Sequence, residues 1–299
     1  MDVFKNLAGL NVVDISSLKD VQAMSKIDFD HLNIDARQKF DVCGLTKCVD
    51  RVTSLRVYGS DFDWPVLHQL VNLQSLDLYD APGAEIDLNY LPRLSSFKID
   101  LRASEVSFGC SDLKILKVAG LRTENILSGL RSIDALMVLN SQIESINLNI
   151  DVLGVCNAPK LQSVIGGKLA SFDTINTKAL AQIDAPNLVI LKVLASKNFN
   201  IEEILLSYNL VSLWIAKIAP MKNLSWLYNL ERLIELIFDD NRVMQDAQFA
   251  NYLNQMNFQH LRLPGNIKNS LNIIPTDWGF LPKVSPKIRR LCELRVACL

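Results

Sequence analysis

One spacing recurs along almost the whole chain: apolar-x-x-apolar-x-apolar. It stands at Val52/Leu55/Val57, Leu73/Leu76/Leu78, Leu94/Phe97/Ile99, Leu113/Leu116/Val118 and Ile133/Leu136/Val138. It returns at Leu188/Leu191/Val193, Leu210/Leu213/Ile215, Leu233/Leu236/Phe238, Phe258/Leu261/Leu263 and Leu291/Leu294/Val296. Weaker copies stand at Leu10/Val13/Ile15, at Phe29/Leu32/Ile34 and at Leu161/Val164, where Gly166 takes the last apolar place. The middle residues of these copies are 19 to 33 residues apart, with a mean of about 23. Two apolar residues either side of one polar position place both side chains on one face of a short strand, and the earlier residue turns inward before that strand begins. Such a unit cannot bury its apolar edge alone, so neighbours must stack and their strands must pair in parallel. With 47 leucines in 299 residues but only 7% aromatics, the core is expected to be a repeating aliphatic one.

The segments between the strand patterns are less uniform. Trp64 to Leu70, Ile201 to Ser207 and Ala247 to Leu253 carry apolar residues at helical spacing and are expected to form helices on the convex side. Between Leu136 and Leu191 the steps lengthen to 28 and 27, and Ala158-Pro159-Lys160-Leu161 matches Ala185-Pro186-Asn187-Leu188. The alternation in Ile143 to Ile150 predicts an extended convex side there, with a change of curvature over 140–190.

These residues resemble a leucine-rich-repeat protein. In that family the position three after the last strand leucine is usually Asn, as at Asn241 and Asn266, with Ser60, Ser141 and Ser196 as weaker substitutes. Leu18, Arg37, Ala81, Arg102, Leu121 and Ile218 depart from it. The broken ladder and variable repeat length resemble the irregular repeats behind F-box motifs in ubiquitin-ligase receptors, although no F-box-like segment is expected ahead of the repeats. The resemblance implies an α/β fold: a leucine-rich-repeat solenoid, or horseshoe, with a parallel concave sheet and a mixed helical and extended convex side. Residues 1–299 are expected to form one domain of about 12–13 repeats, with 269–299 as a candidate capping segment. It further implies a scaffold or adaptor that recognises a protein partner. Substrate selection for a ubiquitin ligase is the narrower version, and a structural subunit held through uncapped solenoid ends is the alternative.

Other chemistry finds little foothold. The charge is balanced, 31 Lys+Arg against 32 Asp+Glu, so nucleic acid is not an expected partner. The basic closing stretch Lys283, Lys287, Arg289, Arg290 and Arg295 is expected to be a solvated face. No apolar run reaches membrane-spanning length and no leader is expected at the N-terminus. Six cysteines (Cys43, Cys48, Cys110, Cys156, Cys292, Cys298) include no C-x-x-C pair, so free thiols and an intracellular protein, cytoplasmic or nuclear, are expected. His31, His68 and His260 are too far apart in sequence for a helix-borne metal pair, and Gly166-Gly167-Lys168 lacks the residues of a phosphate loop. Asp61 with Asp63, and Asp239 with Asp240, lack an EF-hand's length. Neither catalysis nor a cofactor is expected.

The repeat frame nominates a binding face, because residues flanking the strand leucines should line the concave surface. In the first half these are Asp14, His31, Asp35, Arg56, Tyr58, Asp77, Tyr79, Lys98, Asp100 and Lys117. In the second half Met137, Leu139, Ile165, Ile190, Lys192, Leu194, Trp214 and Ile237 form an apolar run at positions expected to face water. Either a partner occupies that strip, with Trp214 as anchor, or the chain's own segment from Asn269 to Arg290 or an outside element folds over it and buries it. Tyr58 and Tyr79, one repeat apart, should stack as a second, smaller aromatic site or pack as plain neighbours.

Overall fold

The computed structural model describes residues 2–5, 11–16, 29–37, 45, 48–102, 105–108, 112–122, 127, 130, 133–203, 208–221, 224–238, 252, 255, 256, 258 and 260–262. The chain divides into two compact units, Met1–Ile133 and Asp134–Leu299.

In the first unit, nine strands follow one another: β1 (Asp2–Lys5), β2 (Asn11–Ile15), β3 (His31–Asp35), β4 (Ser54–Tyr58), β5 (Ser75–Tyr79), β6 (Glu85–Asp87), β7 (Ser96–Asp100), β8 (Glu105–Ser107) and β9 (Ile115–Ala119). Strands β2, β3, β4, β5, β7 and β9 pair in parallel, β1 lies antiparallel on β2, and β6 and β8 form a separate parallel pair. The register aligns Val13, Leu32, Leu55, Leu76, Phe97 and Leu116 in one row, and every one of them is fully buried. The predicted spacing is therefore the spacing of the coil: each middle residue stacks on its counterpart one turn away.

The second unit runs through β10 (Ala135–Leu139), β11 (Ser145–Asn147), β12 (Val152–Cys156), β13 (Ser163–Ile165), β14 (Ser171–Ile175), β15 (Gln182–Asp184), β16 (Ile190–Leu194), β17 (Ser212–Ala216), β18 (Glu235–Phe238) and β19 (His260–Arg262). Its main sheet is parallel in the order β10-β12-β14-β16-β17-β18-β19, and β11-β13-β15 form a second parallel sheet. Leu136, Leu153, Phe172, Leu191, Leu213, Leu236 and Leu261 stand in register. The two long repeats expected between Leu136 and Leu191 are thus three short turns of 17, 19 and 19 residues. Val164, expected on the main sheet, belongs to β13 in the second one. Both walls of the coil carry the same local signal here, Ile150/Leu153/Val155 on one and Leu161/Val164 on the other, and the inward residues of both are buried. The second sheet does confirm that this stretch is extended away from the main sheet.

The mixed helical convex side is not confirmed among the described residues, which leave out 204–207. Trp64–Gln69 and Ile201–Glu203 are 3-10 helices, as are Leu88–Tyr90 and Ser225–Asn229. A turn of about twenty residues that spends five on a strand has little chain left, and a 3-10 helix advances about 2.0 Å per residue where an α-helix gains about 1.5 Å. Bonds of the i to i+3 kind, such as Leu70 N donating to Leu67 O at 2.9 Å, close these short segments. Ala247 to Leu253, apart from Tyr252, the last pattern at Leu291/Leu294/Val296 and the capping segment 269–299 lie outside the described residues. So do Leu18, Asn241, Asn266, Cys292, Cys298 and the basic closing stretch.

Eight of the main strands are left through the same turn. The residue two beyond the last inward side chain has positive φ at Gly59, Asp80, Gly120, Asn140, Asn157, Asn176, Ala195 and Lys217. In this conformation the amide of one turn reaches the last carbonyl of the next strand, as from Gly59 N to Tyr79 O at 2.9 Å and from Asn157 N to Ile175 O at 3.0 Å. Asn140, Asn157 and Asn176 also link side chain to side chain, at 3.1 and 2.8 Å. This asparagine ladder sits one residue before the position where the family places its own. At that next position Ser141 and Ser196 are buried, and their hydroxyls accept backbone N–H groups of Ile143 and Thr177. Ser60 is exposed.

Candidate protein-binding face

The outward positions of the main sheets form rows because parallel strands in register place equivalent side chains side by side. In the first unit the central row is Asp14, Asn33, Arg56, Asp77, Lys98 and Lys117. Its members are tied across strands: Asn33 Nδ2 donates to Asp14 Oδ1 at 2.6 Å, and Arg56 pairs with Asp77 at 3.1 Å. Burial works against the Arg56 charge, but the hydrogen bond and charge of Asp77 outweigh it and raise the guanidinium pKa. The next row holds Tyr58 and Tyr79, whose rings stack at 5.0 Å and 17°. Lys98 Nζ lies 4.2 Å from the Tyr79 ring centre and donates to its hydroxyl at 2.8 Å. Tyr58 and Tyr79 therefore form a stacked pair flanked by Arg56 and Lys98.

His31 and Ser54 close the row at the start of the strands, with Oγ and Nδ1 2.5 Å apart. Burial lowers the His31 pKa, and the Arg56 charge lowers it further. Asp35 and Asp100 instead turn to their own chain, holding Arg37 Nε at 2.8 Å and Arg102 Nε at 2.9 Å. The side-chain hydrogen bonds from these arginines hold both carboxyls below the usual range.

In the second unit the central row runs Met137, Gly154, Asp173, Lys192, Trp214, Ile237 and Arg262. Lys192 Nζ lies 3.9 Å from the Trp214 ring centre, a cation–π contact of about 0.5–1 kcal/mol. Three members of the predicted strip do not face water as expected: Ile190 and Ile237 are 3% exposed and Met137 8%. Met137 lies over Gly154, where a Cβ would come within 2.8 Å of its sulfur. Ile165 is also corrected, since it ends β13 in the second sheet and is not on this face.

What remains outward is a neighbouring row, Leu139, Cys156, Ile175 and Leu194. Leu139, Cys156 and Leu194 are half-buried and Ile175 is 37% exposed. Cys156 and Ile175 escaped the sequence reading because β12 and β14 were not recognised as main strands. The triplet Ile150/Leu153/Val155 is the signal that finds the first of them. The strip is therefore continuous across four adjacent strands, with Lys192 and Trp214 one row away.

No family model and no curated protein matches the chain. Among solved structures, the crystal structure of an internalin from Listeria monocytogenes is similar at 14% identity with a TM-score of 0.45, covering 82% of this chain and 84% of that one. By the register of its own strands each of the two units is a parallel β-solenoid. Among the described residues no helix is long and apolar enough to cross a membrane.

Proposed function

We propose that this chain is a non-enzymatic recognition scaffold that holds a protein partner against the outer face of its main sheets. The observation that carries this reading is the outward apolar row Leu139, Cys156, Ile175 and Leu194 beside the Lys192–Trp214 pair. A contiguous apolar strip with an adjacent aromatic anchor is the surface that protein interfaces use. Tyr58 and Tyr79, flanked by two cations, supply a polar aromatic site in the other unit, suited to orientation and specificity. An intracellular place accords with Cys48 and Cys156 as free thiols. The narrower role of an F-box-type receptor rested on irregular repeat length, and part of that irregularity, at 140–190, resolves into three short, even turns. The test is affinity capture from native extract with the wild type beside Ile175→Glu, after circular dichroism shows both folded. A protein retained by the wild type and lost by the variant is the expected result; identical captures would sink the assignment of this strip.

A further inference from the structure

Two lysines stand side by side on the outer face of the first unit. Lys98 on β7 and Lys117 on β9 are register partners, both partly exposed, on parallel strands about 4.8 Å apart. Like charges directly opposite one another across a sheet repel, so this pair costs stability until an anion joins it. We propose that the outer face of β5, β7 and β9 takes an acidic stretch of a protein partner, whose carboxylates seat on Lys98 and Lys117. This names the partner chemistry of the recognition face described above and rests on that reading.

The chain's own nearby carboxylates are committed elsewhere. Asp77 on β5 is the register neighbour of Lys98, yet it pairs with Arg56 on its other side at 3.1 Å. Asp35 holds Arg37 Nε at 2.8 Å, and Asp100 holds Arg102 Nε at 2.9 Å. Lys117 makes no hydrogen bond or ion pair among the described residues. Lys98 is held by a ring instead: its Nζ lies 4.2 Å from the Tyr79 ring centre and donates to the Tyr79 hydroxyl at 2.8 Å. That bond uses one of three ammonium donors and fixes a long side chain that a partner would otherwise have to order. The Tyr79 hydroxyl, having accepted from Lys98, keeps its own hydrogen to donate to a carboxylate. Along the row, Arg56, Asp77, Lys98 and Lys117 set three positive charges against one negative on four adjacent strands. Asp14 lies at the other end of the same row, four strands from β7. The row is therefore acidic at one end and basic at the other, a polarity that suits a peptide of mixed charge and not a uniformly anionic nucleic-acid strand.

The test is isothermal titration of the full chain at low salt with blocked hexaglutamate, blocked hexaglutamine and a thymidine hexanucleotide. Wild type is compared with Lys98→Gln/Lys117→Gln and with a charge-matched control, Lys160→Gln/Lys178→Gln, at exposed positions of the second unit. Circular dichroism checks that all three are folded. The expected result is saturable one-to-one binding of hexaglutamate, about tenfold tighter than hexaglutamine. The first double variant should weaken it about tenfold and the control less than about twofold. No saturable heat at about 1 mM hexaglutamate, equal binding of hexaglutamine, equal effects of the two double variants, or tighter binding of the oligonucleotide overturns the proposal. The capture experiment with Ile175→Glu reads the other unit, so the two failures are distinguishable. Identical captures beside hexaglutamate binding that needs the two lysines would sink the apolar strip alone, and the converse pair of results would sink the acidic-peptide site alone.

Discussion

Alanine at Gly59 should damage the first unit far more than alanine at Gly83, although both glycines have positive φ, +102° and +74°. At Gly83 a Cβ meets nothing within 4 Å. The loss there is the dihedral cost of about 1–2 kcal/mol for an L-residue, offset by about 0.4–1 kcal/mol from a less flexible unfolded chain. A net cost of roughly 1 kcal/mol follows. At Gly59 the same methyl would lie 2.6 Å from the carbonyl carbon and oxygen of Ala36 and from the amide nitrogen of Arg37, all backbone atoms. The segment carrying them is tied to the methyl's own turn, with Ala36 N donating to Tyr58 O at 2.6 Å and Asp61 N to Ala36 O at 3.0 Å. To clear the contact, that backbone must move about 1 Å and loosen both bonds, at roughly 1 kcal/mol each. Gly59→Ala should therefore cost about 3 kcal/mol, a large share of a typical folding free energy. Urea unfolding followed by far-ultraviolet circular dichroism measures it as a shift in midpoint at unchanged slope. Equal midpoints for the two alanine variants would refute the reasoning, because the close backbone approach of successive turns would then carry no energy.

Two further outcomes follow from the same turns and from the half-buried His31. Ala195 occupies the left-handed region at φ +53°, so Ala195→Gly should stabilise the second unit by several tenths of a kcal/mol to about 1 kcal/mol, after allowing for the more flexible unfolded chain. A lower urea midpoint in that variant would count against it. His31 has a lowered pKa from burial and from Arg56, so the unfolded chain binds the proton more readily than the folded one. That contribution is fully present above the unfolded value near pH 6.5 and is lost as pH falls toward the folded value. The urea midpoint of the wild type should drop between about pH 7.5 and 5.5 more steeply than that of His31→Gln, and parallel profiles would contradict the assignment.

Much of the coil was legible in the sequence. Val13, Leu32, Leu55, Leu76, Phe97, Leu116, Leu136, Leu191, Leu213, Leu236 and Leu261 were marked by spacing alone and stand in the aligned core rows of their units. They were readable because a strand that buries every second side chain leaves a local signature, and stacking turns repeats it. The tyrosine pair followed from the same frame, since equal register positions on adjacent strands are neighbours. The asparagine ladder was equally local, but it lay one residue away from the position the family pattern directs attention to.

Two matters were decided by tertiary structure. The first is which wall of the coil an apolar triplet joins: Ile150/Leu153/Val155 and Leu161/Val164 have the same local character, and only the neighbours available for pairing send one to the main sheet and the other to the second. That choice moved Ile165 off the proposed face and brought Cys156 and Ile175 onto it. The second is how much water reaches an outward side chain. Ile190 and Ile175 both lie on the outer face of the main sheet, yet they are 3% and 37% exposed. Period-two alternation says which way a side chain points, while its exposure depends on what packs around it, and no spacing along one strand contains that information.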